Sequence, residues 1–312
     1  MSPRWQLIPL VGAAVACLAG PTHAERAVFP AASGTAITTT QKPGAALGRF
    51  DAGRALSHVR HLAGRIGVRV RATPAEHKGQ RYVRRRLRTL GYHVFVQEFG
   101  VDGGTSRNVV AMWPGAKRYP VVVGAHIDTV AGSPGANDNA SGVAVMLEVA
   151  RLVAGRHQAR WVKFVSFGSE EYGANGRHHL GSEEFVSRLG SRGRTRLAGM
   201  VSVDMVADGR PLIVGTAGLG PRIVSYSFLH KARKVGIRAD YRTTCDCSDN
   251  GPFELAGIPA AFIWSGPEPD YHSPSDVPTN LSKRDLWRSG RAVRAFVRAL
   301  DRKTIRHFRS EG

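Results

Sequence analysis

The chain has 312 residues, of which 42% are hydrophobic, and its 44 Lys and Arg against 24 Asp and Glu give a formal charge of +20. The hydrophobic share is enough for a buried core and excludes wholesale disorder, a collagen-like chain and a small disulfide-stapled domain. The charge by itself favours a nucleic acid or another anionic surface as partner.

The N-terminus has the pattern of a secretory signal. Arg4 precedes an apolar run over residues 7–20, and Ala24 supplies a small residue where a signal peptidase would cleave. The run is too short to span a bilayer, and no later stretch is longer, so we expect no transmembrane segment. We predict a signal peptide over residues 1–24 and a secreted protein, with lipid anchoring at Cys17 as a second interpretation.

Residues 25–50 predict an extended lead-in, and residues 51–312 a single domain without linkers or repeats. Its first part predicts two helices, over residues 51–65 and 74–90, the second capped by Thr73 and ended at Gly91. Alternating apolar and polar residues then predict strands at 93–99 and 108–113.

From residue 119 onward, buried strands alternate with helices. Strands are predicted at 119–125, 161–167, 199–206 and 260–264, and helices at 141–154 and 282–302. This order predicts an α/β fold with a central, mostly parallel mixed sheet flanked by helices on both faces.

Acidic and imidazole side chains follow the ends of these strands, where sheets of this kind place their sites. They are His126, Asp128, Asp138, Glu170, Glu171, Asp204 and His272, the last in a loop that ends at Asp276. Singly, each has a structural explanation, such as a satisfied core histidine, a solvated acidic pair or a helix-start charge. Five of these seven residues, two His, two Asp and one Glu, would form a ligand set without a thiolate, which suits two zinc ions.

Five motifs carry a family resemblance. They are His126-x-Asp128, the Asn-Asp-Asn-Ala-Ser-Gly segment at 137–142, Glu170-Glu171, Asp204, and Tyr271-His272 with the Ser-Pro-Ser-Asp that follows. Over about residues 50–305 this pattern resembles the co-catalytic zinc aminopeptidases of peptidase family M28. The resemblance implies a zinc-exopeptidase (phosphorylase/hydrolase-like) fold, and a zinc peptidase catalytic domain over residues 51–312.

The resemblance also implies the metal ligands. One zinc ion would be bound by His126, Asp138 and Asp204, and a second by Asp138, Glu171 and His272. Asp138 would therefore bridge the two ions.

Three further residues receive roles from the motifs. Glu170 would be the general base for a water held between the two ions, and the Tyr271 hydroxyl would stabilise the tetrahedral intermediate. Asp128, two residues beyond His126, suits a carboxylate that orients the imidazole. The implied activity is a secreted, monomeric, leucyl-type aminopeptidase whose substrates are peptide or protein N-termini.

Two segments depart from the family pattern. A longer spacer, residues 174–180, separates the Glu pair from Gly181-Ser182, and we expect its His178 and His179 to be exposed loop residues. Asn250 stands where the family commonly has a histidine, which leaves the role of that position open.

Cys245 and Cys247 are the cysteines left after signal cleavage. An oxidising compartment favours a disulfide between them, and zinc ligation by the pair is the alternative.

Rival functions share parts of this pattern. Glutaminyl cyclases have the same fold, but their relatives tend to carry Trp before the late His, where this chain has Tyr271; a metallo-carboxypeptidase is a third candidate. A basic binding protein would rest on the arginines of residues 81–88, which are spaced as the solvated face of a helix. With no nucleic-acid module visible, we expect no nucleic-acid partner, and salt-dependent adhesion to anionic cell-surface polymers remains open.

Overall fold

The computed structural model describes residues 48–266 and 268–310. The predicted signal peptide, Cys17 and all but the last three residues of the predicted lead-in lie outside this range. None of the helices in the described part of the chain is long and apolar enough to cross a membrane.

Eight strands form one sheet in the described residues. They are β1 His93–Val101, β2 Gly104–Met112, β3 Val121–His126, β4 Val162–Phe167, β5 Gly199–Val203, β6 Leu212–Thr216, β7 Ala239–Thr243 and β8 Ala260–Trp264. Their order is β1-β2-β4-β3-β5-β8-β6-β7. The central neighbours β4, β3, β5 and β8 run parallel, as do β6 and β7, while β1–β2, β2–β4 and β6–β8 are antiparallel. The predicted mostly parallel mixed sheet is confirmed.

Helices cover both faces of this sheet. They are α1 Ala52–Val59, α2 Pro74–Thr89, α3 Gly142–Val153, α4 Leu180–Arg194, α5 Ile223–Lys234, α6 Gly251–Leu255, α7 Lys283–Arg298 and α8 Arg302–Ser310. Side chains alternate along β3, so Val121 and Val123 pack into the larger core beneath α3, α5 and α7, whereas Val122 packs into a second core with α4 and α6. The prediction of helices on both faces is confirmed.

Local signals in the sequence explain the first helices. Asp51 accepts hydrogen bonds from the backbone N–H groups of Gly53 and Arg54 and so caps α1, which continues into π-helical turns at Arg60–Ile66. The Thr73 side chain accepts from the backbone of Glu76, and α2 ends before Gly91, whose φ of 90° requires a residue without a side chain.

Two predicted elements differ in extent. The strand expected over 199–206 ends at Val203, and the left-handed backbone of Met205, with φ of 49°, turns the chain out of the extended conformation. The helix expected over 282–302 ends at Arg298 as α7, and a further helix that was not predicted, α8, follows it, where Asp301 accepts from the backbone N–H of Thr304 at 2.7 Å.

Candidate metal centre

The predicted ligands meet at one edge of the sheet. His126 is the last residue of β3, Asp204 directly follows β5, and the Glu170-Glu171 pair follows β4. Because β4, β3 and β5 are adjacent and parallel, their carboxyl ends open at the same edge. The loop before α3 brings Asp138 to this edge.

A first cluster of ligand atoms surrounds His126. Its Nε2 lies 3.2 Å from Asp138 Oδ1 and 3.2 Å from Asp204 Oδ1. The other oxygen of Asp204, Oδ2, accepts a hydrogen bond of 2.8 Å from the Ser248 hydroxyl. The carboxylate therefore has one oxygen held by the protein and one directed into the cluster.

A second cluster surrounds His272. Its Nε2 lies 3.3 Å from Asp138 Oδ2 and 3.1 Å from Glu171 Oε2. The two oxygens of Asp138 thus face different imidazoles. This division is what a carboxylate that bridges two cations requires.

The donor set fits zinc. Bonds of about 2.0–2.1 Å in tetrahedral coordination put neighbouring ligand atoms roughly 3.3 Å apart, and the separations above lie close to that value. The buried Glu171 Oε1 has no hydrogen-bond partner among the described residues. Burial raises the pKa of Asp204, and that of Glu171 to about 7, so the charged cluster is unfavourable without cations.

Asp128 contacts the backbone of the Glu pair and lies beside the imidazole that it was expected to orient. Its Oδ1 accepts from the Glu170 backbone N–H and its Oδ2 from that of Glu171, each at 3.0 Å. The nearest approach to His126 Nδ1 is 3.6 Å, which is too long for a hydrogen bond. Asp128 therefore fixes the backbone of the two glutamates.

The loop that carries Asp138 is held by a second carboxylate. Asp276 accepts from the backbone N–H groups of Asn137 at 2.6 Å and Asp138 at 3.0 Å. Gly135 opens the loop with a φ of 62°, and a Cβ there would lie 2.2 Å from the carbonyl oxygen of Asp138. Only glycine allows this tight approach. The sequence marked Asp276 as part of the late motif but indicated no partner for it.

Arg69 supports the same loop and was not predicted. Its guanidinium is fully buried and donates to five backbone carbonyls, those of Leu62, Gly67, Ile127, Pro134 and Gly135. The available signal was the alternation of Arg69 and Arg71 with valines just before α2. Such alternation alone does not separate a buried arginine from one facing solvent.

The expectation that His179 is an exposed loop residue is wrong. Its side chain is buried, and Nε2 lies 3.0 Å from Glu170 Oε1. His178 is half-buried and stacks on the exposed ring of Tyr172, with ring centroids 4.3 Å apart. The physical reason is the path of the spacer, which turns back against Glu170 before α4 begins.

The remaining predicted positions lie around the centre. Tyr271 is half exposed, and its ring stacks on His272 with centroids 3.7 Å apart. Asn250 is buried and donates to Glu254 Oε1 at 2.9 Å, so it supports α6. The sulfur atoms of Cys245 and Cys247 are 1.94 Å apart.

Comparisons with known proteins indicate the family of this chain. The sequence profile described as peptidase family M28 matches residues 108–297. Aminopeptidase YwaD of Bacillus subtilis is 33% identical over 246 residues, which cover 75% of this chain and 51% of YwaD. The chain spans about half the length of the curated relatives it matches.

Two solved structures share the fold. BSAP, a zinc aminopeptidase from Bacillus subtilis, superposes with a TM-score of 0.75 at 22% identity, covering 83% of this chain and 97% of that one. A glutaminyl cyclase from Fimbriiglobus ruber superposes with a TM-score of 0.73 at 26% identity, covering 84% and 99%.

Proposed function

The chain belongs to peptidase family M28, and we propose on this basis that it is a zinc-dependent aminopeptidase that hydrolyses the first peptide bond of its substrates. The observation that carries the proposal is the division of Asp138, whose Oδ1 and Oδ2 face the imidazoles of His126 and His272. His126, Asp138 and Asp204 would hold one zinc ion, and Asp138, Glu171 and His272 the other.

Bound zinc would supply Lewis acidity that polarises the scissile carbonyl and favours ionisation of the attacking water. The protein's own part is proton transfer. Glu170 Oε2 faces the ligand cluster, 3.8 Å from His126 Nε2, and is placed to take the proton of the water and pass it to the leaving amine. As the new C–O bond forms and the C–N bond breaks, the hydroxyl of Tyr271 would donate a hydrogen bond to the oxyanion.

The same proposal covers the setting of the enzyme. We propose a secreted monomer, released by cleavage after residue 24, with its catalytic domain over residues 51–312 and a disulfide between Cys245 and Cys247. The proximity of the two sulfur atoms supports the disulfide. Free N-termini of peptides or proteins would be the substrates.

Adhesion to anionic surfaces is a separate part of the proposal. A cavity of about 450 Å³ is lined by five cationic side chains, two aromatic rings and one isoleucine, with no acid among its lining residues. The cations are Lys117, Arg118, Arg302, Arg306 and Arg309. We place salt-dependent binding of an anionic cell-surface polymer there, because cations without counter-charges attract polyanions.

Glutaminyl cyclisation is the second candidate, favoured by the similarity to the Fimbriiglobus ruber structure. Tyr271 in place of tryptophan before the late histidine favours hydrolysis. Product analysis with a peptide that begins with glutamine separates the two, because cyclisation releases ammonia and leaves the peptide bond intact. Ammonia release faster than peptide-bond cleavage would reverse the ranking.

The decisive test uses a leucine anilide substrate and zinc analysis. Chelation should abolish turnover and added zinc should restore it. Glu170→Gln should lower kcat by about 10²–10⁴-fold with zinc still bound, because the proton acceptor is lost. Glu184→Gln, on a half-buried glutamate outside the centre that pairs with Arg188, is the matched control. Activity that survives chelation, or near-normal turnover in Glu170→Gln, would contradict the proposal.

A further inference from the structure

One of the two carboxylate oxygens of Glu170 is occupied by an imidazole. His179 Nε2 lies 3.0 Å from Glu170 Oε1, whereas Oε2 faces the ligand cluster. The surroundings of the two oxygens are therefore different. The family motifs do not include an imidazole at this position, because His179 lies in the spacer of residues 174–180, where this chain departs from the family pattern.

The burial of His179 and the distances of its two ring nitrogens indicate which nitrogen donates a hydrogen bond. His179 is only 3% exposed, and burial lowers its pKa to about 3, so the ring is neutral. A neutral imidazole donates through one nitrogen. The other nitrogen, Nδ1, lies 3.6 Å from Asp246 Oδ1, beyond hydrogen-bond distance. Nε2 is therefore the ring nitrogen whose N–H has a carboxylate oxygen within hydrogen-bond distance.

The backbone fixes the same pair of residues. The His179 backbone N–H donates to the carbonyl oxygen of Glu170 at 2.7 Å, and that of Leu180 donates to Ser169 at 2.9 Å. Both His179 and Ser169 have left-handed backbones, with φ of 57° and 54°. That conformation is unfavourable for a residue with a Cβ, so the surrounding contacts must enforce it.

The spacer, residues 174–180, is anchored by Arg71. Its Nη1 donates to the carbonyl oxygens of Glu171 at 3.0 Å and Arg177 at 2.7 Å, and Nη2 donates to Asn175 Oδ1 at 3.1 Å. One buried guanidinium thus binds the residue pair before the spacer and two residues within it. These contacts hold the loop that carries His179.

We propose that His179 is a positioning residue for Glu170, holding Oε1 through its Nε2–H so that Oε2 is the oxygen that exchanges protons with water and the leaving amine. The catalytic consequence rests on the proposed aminopeptidase function, whereas the contact itself does not.

Steady-state kinetics test the consequence. His179→Leu removes the donor at similar volume and should lower kcat by about 10–100-fold, with KM and bound zinc unchanged. His179→Gln places an amide N–H near the position of Nε2 and should recover most of kcat. The matched control is His58→Leu, because His58 is also a buried imidazole and contacts Tyr82, outside the centre; its kcat should match that of the wild type.

Nuclear magnetic resonance of the imidazole tests the contact without turnover. The wild type should show a slowly exchanging Nε2–H proton on His179, and Glu170→Ala should lose it. A wild type that cleaves no aminoacyl substrate yet shows this signal would refute the proposed function and leave the positioning intact. Wild-type kcat in His179→Leu, equal losses in the Leu and Gln variants, or a signal unchanged by Glu170→Ala would each overturn the inference.

Discussion

Asp276 contacts none of the side chains proposed as metal ligands, yet it holds the backbone of one of them, Asp138. Its two oxygens hold the backbone N–H groups of Asn137 and Asp138. In Asp276→Asn, the new amide group would face one of these N–H donors. We therefore expect zinc affinity to fall by about 10–100-fold, measured by competition with a chromogenic chelator. Asp285→Asn is the control, because Asp285 is equally buried but bonds Arg210 and Arg288; equal affinities in the two variants would contradict this role.

His58 gives a pH dependence to stability. Burial lowers its pKa from 6.5 to about 4, so the unfolded chain binds a proton that the folded one rejects over that interval. The contribution of neutral His58 to the free energy of unfolding is fully present above pH 6.5. It is lost as the pH falls from 6.5 towards 4, at roughly 1.4 kcal/mol per pH unit. Urea unfolding at pH 7 and 5 should show a drop smaller by roughly 2 kcal/mol in His58→Gln. Parallel profiles would show that His58 does not titrate on unfolding.

At single positions, the sequence was sufficient where the residue type by itself makes burial unfavourable without a partner. An acid such as Asp204 at the end of an apolar strand requires a partner, and the family resemblance, not a predicted strand order, implied its pairing with His126. His179 and Arg69 were not predictable in this way. Their partners are a side chain fixed by a turn of the spacer and a set of backbone carbonyls, neither of which leaves a periodic signal.

The spacer, residues 174–180, depends on an arginine that precedes α2 and on the hairpin of β1 and β2. Arg71 binds the spacer and forms an ion pair with Asp102, in the turn between β1 and β2, with Nη2 2.6 Å from Oδ2. Arg71→Met would leave buried carbonyls unpaired and should lower the free energy of unfolding by roughly 1–3 kcal/mol. The same variant should expose the spacer to proteolysis.

Arg177→Met is the control for that experiment. Its guanidinium pairs with Glu183 on the surface, and its loss should change stability by less than about 0.5 kcal/mol. Equal effects of the two substitutions would show that Arg71 does not anchor the spacer.

Elements with strong local signals were predictable, and those without them were not. Caps and glycine ends marked α1 and α2, and unbroken apolar runs marked β3 and β4. β6 and β7 were both missed. β7, Ala239–Thr243, is only partly buried and carries polar side chains, and β6, Leu212–Thr216, is a five-residue apolar run too short for periodicity to identify as a strand. The antiparallel placement of β6 beside β8 depends on contacts distant in sequence, which local patterns do not encode.

At the scale of the whole molecule, the charge of +20 is proposed to serve adhesion, not catalysis. The cationic cavity described above is lined by three arginines of α8 and is called the α8 cavity here. The triple variant R302A/R306A/R309A removes these three cations and should elute from immobilised polyglycerol phosphate at lower salt than the wild type. The control is the triple variant R81A/R84A/R88A. It removes the same net charge from three arginines that line a different cavity. If both elute alike, adhesion reflects total charge, and the assignment to the α8 cavity is wrong.

Arg69 has a consequence for how this protein can vary. A side chain paired with a carboxylate can be exchanged together with its partner, but every recorded acceptor of Arg69 is a main-chain oxygen. No neighbouring substitution removes these acceptors, and lysine, with three donors on one nitrogen, cannot reach five carbonyls in a planar array. Loss of Arg69 therefore has no simple second-site suppressor. A selection for suppressors of Arg69→Lys should return reversions to arginine rather than changes in the residues around it.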